Sequence, residues 1–500
     1  MKDWCVVYGE YNLEQAHALD KITAYVQNKI PYVFATLKAD CVNDDLLANN
    51  NAIIIGTPDN NKFIKKLISD NVITIPSEEE SYTYAVLDDI FGKETQTIVV
   101  AGNDGKGVLY GASDLINEYF SLASFFIKEG SSREFDVFAL NYHYILDEPF
   151  SEKRMPTIIK SSSPSISERG IWTWAHCIYD YQKFFENMAT LKLNKIVMWT
   201  DELPINAKEV VSYAHSLGIK VIWGYAWGWD NKKVSTDFLK EENFDAWANT
   251  ILDKYEQEFM PTGADGIYFQ SFTETYSDKL DGLVIADVVT TLVNRVSEKF
   301  YKKYPDIEIQ FGLHGSSVKE HLNYIAKVND KMKITWEDMG AFPFCYNPAG
   351  VSDFPEMISY VKKASMLRGN DDKFGAVFKG MTKLDWTTFV HHKGRYVLGR
   401  SDKAFIKAKT KKCEDMWKLI NSQWLKNASY VKETLDELRS LKGKNLEIQA
   451  LVEDGIFEEK IFFAVALYAE LLWDANSNVN NIISMVSAKP CVSFANSWLV

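Results

Sequence analysis

Between Arg169 and about residue 400 the chain repeats one pattern: a short, nearly continuous apolar run, a polar turn, then an amphipathic helical stretch. The runs are Arg169–His176, Asn194–Glu202, Lys220–Asp230, Gly263–Asp278, Ile307–His314, Lys333–Met339 and Phe374–Gly380, with a weakly marked eighth at Gly394–Gly399. Strands alternating with helices of this length require a parallel sheet covered on both faces. Seven or eight units in about 230 residues suit a closed (β/α)8 barrel better than an open doubly wound sheet. No internal sequence repeat accompanies the pattern.

The flanks differ. Residues 1–145 mix short strands (Trp4–Tyr8, Ala52–Pro58, Tyr82–Leu87, Thr97–Ala101) with helices, as an α/β domain would. Residues 146–166 are punctuated by Glu148-Pro149, Met155-Pro156 and Ser161–Ser165, where proline and serine disfavour regular structure, so they predict a linker. The barrel is expected over residues 167–400. Residues 401–500 predict a helical region, with helices at Lys403–Asn421, Tyr430–Leu441, Asn445–Leu451, Phe457–Ala475 and Asn478–Val486. The expected fold is therefore α/β, a TIM barrel with an N-terminal α/β domain and a C-terminal helical region.

Composition narrows the function. A net charge of −13 argues against nucleic acid and anionic membranes as partners. Six scattered cysteines without a CxxC pair signal neither a zinc site nor a disulfide framework. No HExxH and no helical His pair predicts a metal, and no cofactor motif is intact. Gly102-Asn-Asp-Gly-Lys-Gly107 lacks the lysine–serine pair of a phosphate loop. The N-terminus shows no apolar signal core, and Ile461–Ala469 meets Glu470 too soon to span a bilayer, so a cytoplasmic location is expected. A homo-oligomer is compatible with this composition.

In a barrel, chemistry gathers where strands run out into loops. Those positions are Trp172, Trp174 and His176; Asp201; Trp227, Trp229 and Asp230; Gln270 and Glu274; His314; Trp336, Glu337 and Asp338; and Lys379. Carboxylates beside tryptophans suit a carbohydrate, because indole faces stack on sugar C–H faces and paired carboxyls can perform glycoside hydrolysis. Glu274, Glu337 and Asp338 are the catalytic candidates, and the others are substrate-binding candidates. Each residue also has a plainer reading: a lone Trp is more often core, and Asp201-Glu202 could start a helix.

The order Ile53-Ile-Ile-Gly-Thr-Pro58, Glu80–Asp89, Thr97–Tyr119 resembles the small α/β domain that precedes the barrel in β-hexosaminidases and α-glucuronidases, where it is a structural companion. Asp265–Glu274 resembles the fourth-strand segment of α-glucuronidases and related barrels, whose glutamate is the general acid. Ile334–Phe344 resembles their sixth-strand segment, whose carboxylate assists as base. The resemblance implies glycoside hydrolysis of a hexosaminide or glucuronide type, with Glu274 as acid and Glu337 or Asp338 as base or nucleophile. Thr273-Glu274 stands where hexosaminidases place an Asp-Glu pair, and the glycine- and proline-rich stretch following the acid in α-glucuronidases is missing. Two alternatives are a catalytically degenerate carbohydrate-binding barrel and a lyase or isomerase using Lys379 or Lys383.

Overall fold

A computed structural model describes residues 2–121, 150, 154–200, 202–227, 240–270, 273, 275, 277–337, 354–381, 403–452 and 457–494. The eight barrel strands are Glu168–Trp174, Lys195–Trp199, Lys220–Gly224, Gly266–Gln270, Glu308–Leu313, Lys333–Trp336, Phe374–Met381 and Leu446–Val452. All are parallel, and the eighth pairs with the first to close the barrel.

The closing strand lies beyond residue 400, inside the stretch expected to be a separate helical region. The expected strand at Gly394–Gly399 falls outside the described residues. Lys403–Lys442 is one long helix leading into the closing strand. Of Asn445–Leu451, expected to be helical, all but Asn445 lies in the strand Leu446–Val452, whose sequence alternates. Leu446, Ile448, Ala450 and Val452 pack outward in the main core, while Leu451 joins the cluster inside the barrel. Gly443, at φ 51°, adopts the left-handed conformation that ends the helix before it.

Two faces of each strand do different work. Trp172, Val197, Trp199, Ile222, Tyr268, Val377 and Leu451 form one cluster. They come from six strands, so they meet in the barrel interior. Their neighbours in sequence, such as Ile171, Met198, Trp223 and Phe269, join the larger core between strands and helices.

The N-terminal sheet has the strand order Ala35–Lys38, Trp4–Tyr8, Asn51–Gly56, Gln96–Gly102, Tyr82–Asp88, Ile158–Ser162. The first four are parallel and the last two pair antiparallel. Ile158–Ser162 lies in the expected linker and is the sheet's edge strand instead. The Gly102 loop is a packing device: Asp104 accepts from the amide of Gly107 at 2.8 Å, and a side chain at Gly107 would strike the Ser81 carbonyl.

The N-terminal sheet is seated on the barrel by buried ion pairs. Glu80 meets Arg169, which is wholly buried at the start of the first barrel strand. Lys192 reaches Asp114 at 2.9 Å and Glu470 at 3.2 Å, and Lys489 reaches Glu470 at 3.0 Å and Glu118 at 3.1 Å. Glu470 belongs to Phe463–Trp473, a helix buried on every side. No helix among the described residues is long and apolar enough to cross a membrane.

Candidate active site

The C-terminal end of the barrel brings three of the expected residues, Gln270, His314 and Lys379, around the carboxylate of a fourth, Glu337. Glu337 follows the sixth strand, and its amide donates to the carbonyl of Leu313 at 3.0 Å, which extends the ladder between strands five and six. Its side chain turns inward and is 3% exposed. Gln270, at the end of strand four, donates to both carboxylate oxygens, at 2.5 and 2.6 Å. His314, just past strand five, places Nε2 2.9 Å from Oε2, and Lys379 of strand seven places Nζ 3.3 Å from the same oxygen. The Tyr268 hydroxyl donates to Oε1.

Burial by itself would push the Glu337 carboxyl up, since a charge loses its hydration there. The charges of His314 and Lys379, with hydrogen bonds from His314 and Tyr268, outweigh it and hold the carboxyl well below the usual range. Glu337 is therefore an anion at any ordinary pH. Burial first, then the neighbouring Glu337 charge, pushes the Tyr268 phenol well above its usual value, so it remains a donor.

Beside this carboxylate stands an aromatic wall. Trp172 and Trp199 are buried and stack at 6.4 Å between centroids. Trp174 is half-buried, edge-on to both, at 5.5 and 5.9 Å, and lies 5.9 Å from the exposed His176. Trp172, Trp174, His176, Gln270, His314, Glu337 and Lys379 thus occupy one end of the barrel.

Trp227 and Trp336 do not belong to it. Trp227 stacks on Phe269 at 3.6 Å and on Phe300 at 5.6 Å, and Trp336 packs on Tyr360 at 4.8 Å. Both are fully buried between strands and helices, so they are core and not a sugar platform. Alternation explains the correction: Trp336 precedes the inward Glu337 by one residue and so faces outward. Glu274, Asp338, Asp201, Trp229, Asp230 and Lys383 lie outside the described residues. Lys379 sits against a carboxylate, the opposite of the apolar setting that activates a lysine nucleophile. Tyr268 is not among the sequence candidates, although it shares a strand face with Gln270.

The opposite end of the barrel is also charged. Glu168, Glu308 and Glu447 lie close enough to share an ion. The space between them is filled by two ammonium groups: Lys195 reaches the three at 2.7, 2.9 and 2.9 Å, and Lys333 also touches all three. This arrangement is a floor of the barrel, with its cations already supplied by the chain.

No protein-family model matches this sequence, and no curated protein matches it at a significant level. Solved structures do match. CpGH84D aligns over 96% of this chain and 67% of its own, with TM-score 0.51 and 12% identity. The chain shares its fold with that glycoside hydrolase. A β-hexosaminidase of Streptomyces plicatus bound to its product GlcNAc aligns over 94% of this chain and 86% of its own, with TM-score 0.49 and 10% identity. A GH138 enzyme targeting pectin rhamnogalacturonan II aligns over 95% of this chain, with TM-score 0.48 and 12% identity, and this chain spans 51% of its length.

Proposed function

We propose that this protein hydrolyses a glycosidic bond at the C-terminal mouth of its barrel, on a hexosaminide- or glucuronide-like substrate. The observation that carries the reading is Glu337, a buried carboxylate kept ionised by His314 and Lys379 beside the Trp172, Trp174 and Trp199 wall. Glycoside cleavage passes through an oxocarbenium-like state, and a fixed anion next to a sugar-stacking surface stabilises that positive charge. A carboxyl held this far below its usual range is a poor proton donor, so Glu337 takes the role of base, nucleophile or charge stabiliser. The acid role then falls to Glu274, directly past strand four in sequence.

A panel of chromogenic glycosides tests the reading. Wild-type protein should turn over at least one sugar, and Glu337→Gln should lower its kcat by about 10²–10⁴-fold. Turnover of no glycoside would remove the proposal, and full turnover by the Gln variant would remove Glu337 from the chemistry.

A further inference from the structure

The two oxygens of Glu337 have different neighbours, and the difference assigns them different work. Gln270 donates to both, but Oε1 alone accepts from the hydroxyl of Tyr268, which is wholly buried. Oε2 faces His314 and Lys379, whose side chains are 10% and 12% exposed. Oε1 thus points into the barrel and Oε2 toward its mouth.

Gly312 explains how the inner oxygen is accommodated. It lies in strand five between Phe311 and Leu313, with strand pairing to Gln270 and Thr335 on either side. Its backbone is not among those in the left-handed region, so conformational freedom is not what requires glycine. Space is. A Cβ there would fall well inside 3.0 Å of both the Tyr268 hydroxyl and Glu337 Oε1. The hydroxyl–carboxylate contact occupies the volume that any other residue at 312 would fill.

We propose that Tyr268 and Gly312 are positioning residues that anchor Oε1 of Glu337, so that Oε2 is the oxygen presented to substrate. The inference rests on the hydrolase reading for its consequence in catalysis, but not for its structural content. Among the described residues, the charged groups that face Glu337 are His314 from the end of strand five and Lys379 from strand seven. Tyr268 and Gln270 supply uncharged donors from strand four. Removing the phenol takes away a donor to the ionised form, so the carboxyl should titrate at higher pH.

The experiment pairs two readouts on Tyr268→Phe, Gly312→Ala and the double variant. The first is the Glu337 carboxyl resonance in protein labelled at the glutamate side-chain carbon, assigned by its loss in Glu337→Gln. The second is kcat and KM on the glycoside that the panel identifies. Tyr268→Phe should move the resonance of the ionised carboxyl at neutral pH, because its phenol donor is gone, with kcat down about tenfold or more and KM within about twofold. Gly312→Ala should reduce kcat further, and the two changes should be less than additive because Phe frees part of the space the new methyl needs. An unmoved Glu337 carboxyl resonance in folded Tyr268→Phe would overturn the proposal even if Glu337→Gln is inactive. A shifted resonance in a protein that turns over no glycoside would uphold the anchor and sink the hydrolase reading alone.

Discussion

The barrel keeps carboxylates at both ends, one of them fully buried at each, and they are held in opposite ways. At the floor, three glutamates and two lysines interlock, so that each ammonium bonds every carboxylate and no group depends on one partner. At the mouth, one glutamate is surrounded by donors from three different strands, and two of its four partners are uncharged. A network of mutual ion pairs fixes the strands to one another; a single anion ringed by donors fixes a charge at a point. The first arrangement suits the holding together of strands, and the second suits the chemistry proposed for it.

Breaking the floor should have the largest effect on stability. Lys333→Met leaves the buried Glu447 and the partly buried Glu168 and Glu308 with Lys195 alone, and a buried charge stripped of a partner costs about 3–5 kcal/mol. Denaturant unfolding should show that loss while turnover per folded molecule stays normal. A comparable loss from Glu337→Gln would erase the distinction between the two ends.

Tryptophans sharpen the same contrast. Trp227→Ala should cost about 3–5 kcal/mol of stability, as a fully buried aromatic does, with KM unchanged. Trp174→Ala should instead leave the unfolding midpoint nearly fixed and weaken sugar binding about tenfold, on the order of the stacking gain of an aromatic pair. If both variants behave alike, the assignment of Trp174 to the mouth is wrong.

Acid should loosen the floor in a defined window. Burial raises the Glu168 carboxyl, but Lys333 and Lys195 outweigh it and bring it down to about 2. A carboxyl depressed in the folded state stabilises above its unfolded value and loses that contribution as pH falls through the folded one. Stability should therefore decline from about pH 4.5 toward 2, and Glu168→Gln should flatten that decline. The smallest effect is expected at the domain seam: Lys106→Ala removes a partly exposed partner of Glu80, costs under about 1 kcal/mol, and leaves activity within a few fold.

Much of this is legible in the sequence, and the misses share a cause. Seven strands can be read as apolar runs because buried parallel strands need apolar residues on both faces. The eighth cannot, because Glu447 and Gln449 are inward residues that satisfy the floor and interrupt its apolar run. Gln270, His314, Glu337 and Lys379 are visible as polar residues where apolar runs stop. Trp227 and Trp336 mislead because they lie near strand ends, whereas the face that alternation gives them decides where they pack. Gly312 and Tyr268 carry no composition signal; only the inward geometry shows that one makes room for the other.

The account turns on whether the Glu337 anion meets developing positive charge in the sugar. The direct measurement is calorimetric binding of a cationic iminosugar matched to the identified substrate, to wild type and to Glu337→Gln, beside the neutral product sugar. The iminosugar should lose about a hundredfold or more in affinity, near 3 kcal/mol, while the product changes little. Equal iminosugar affinity in a folded Gln variant would contradict the account.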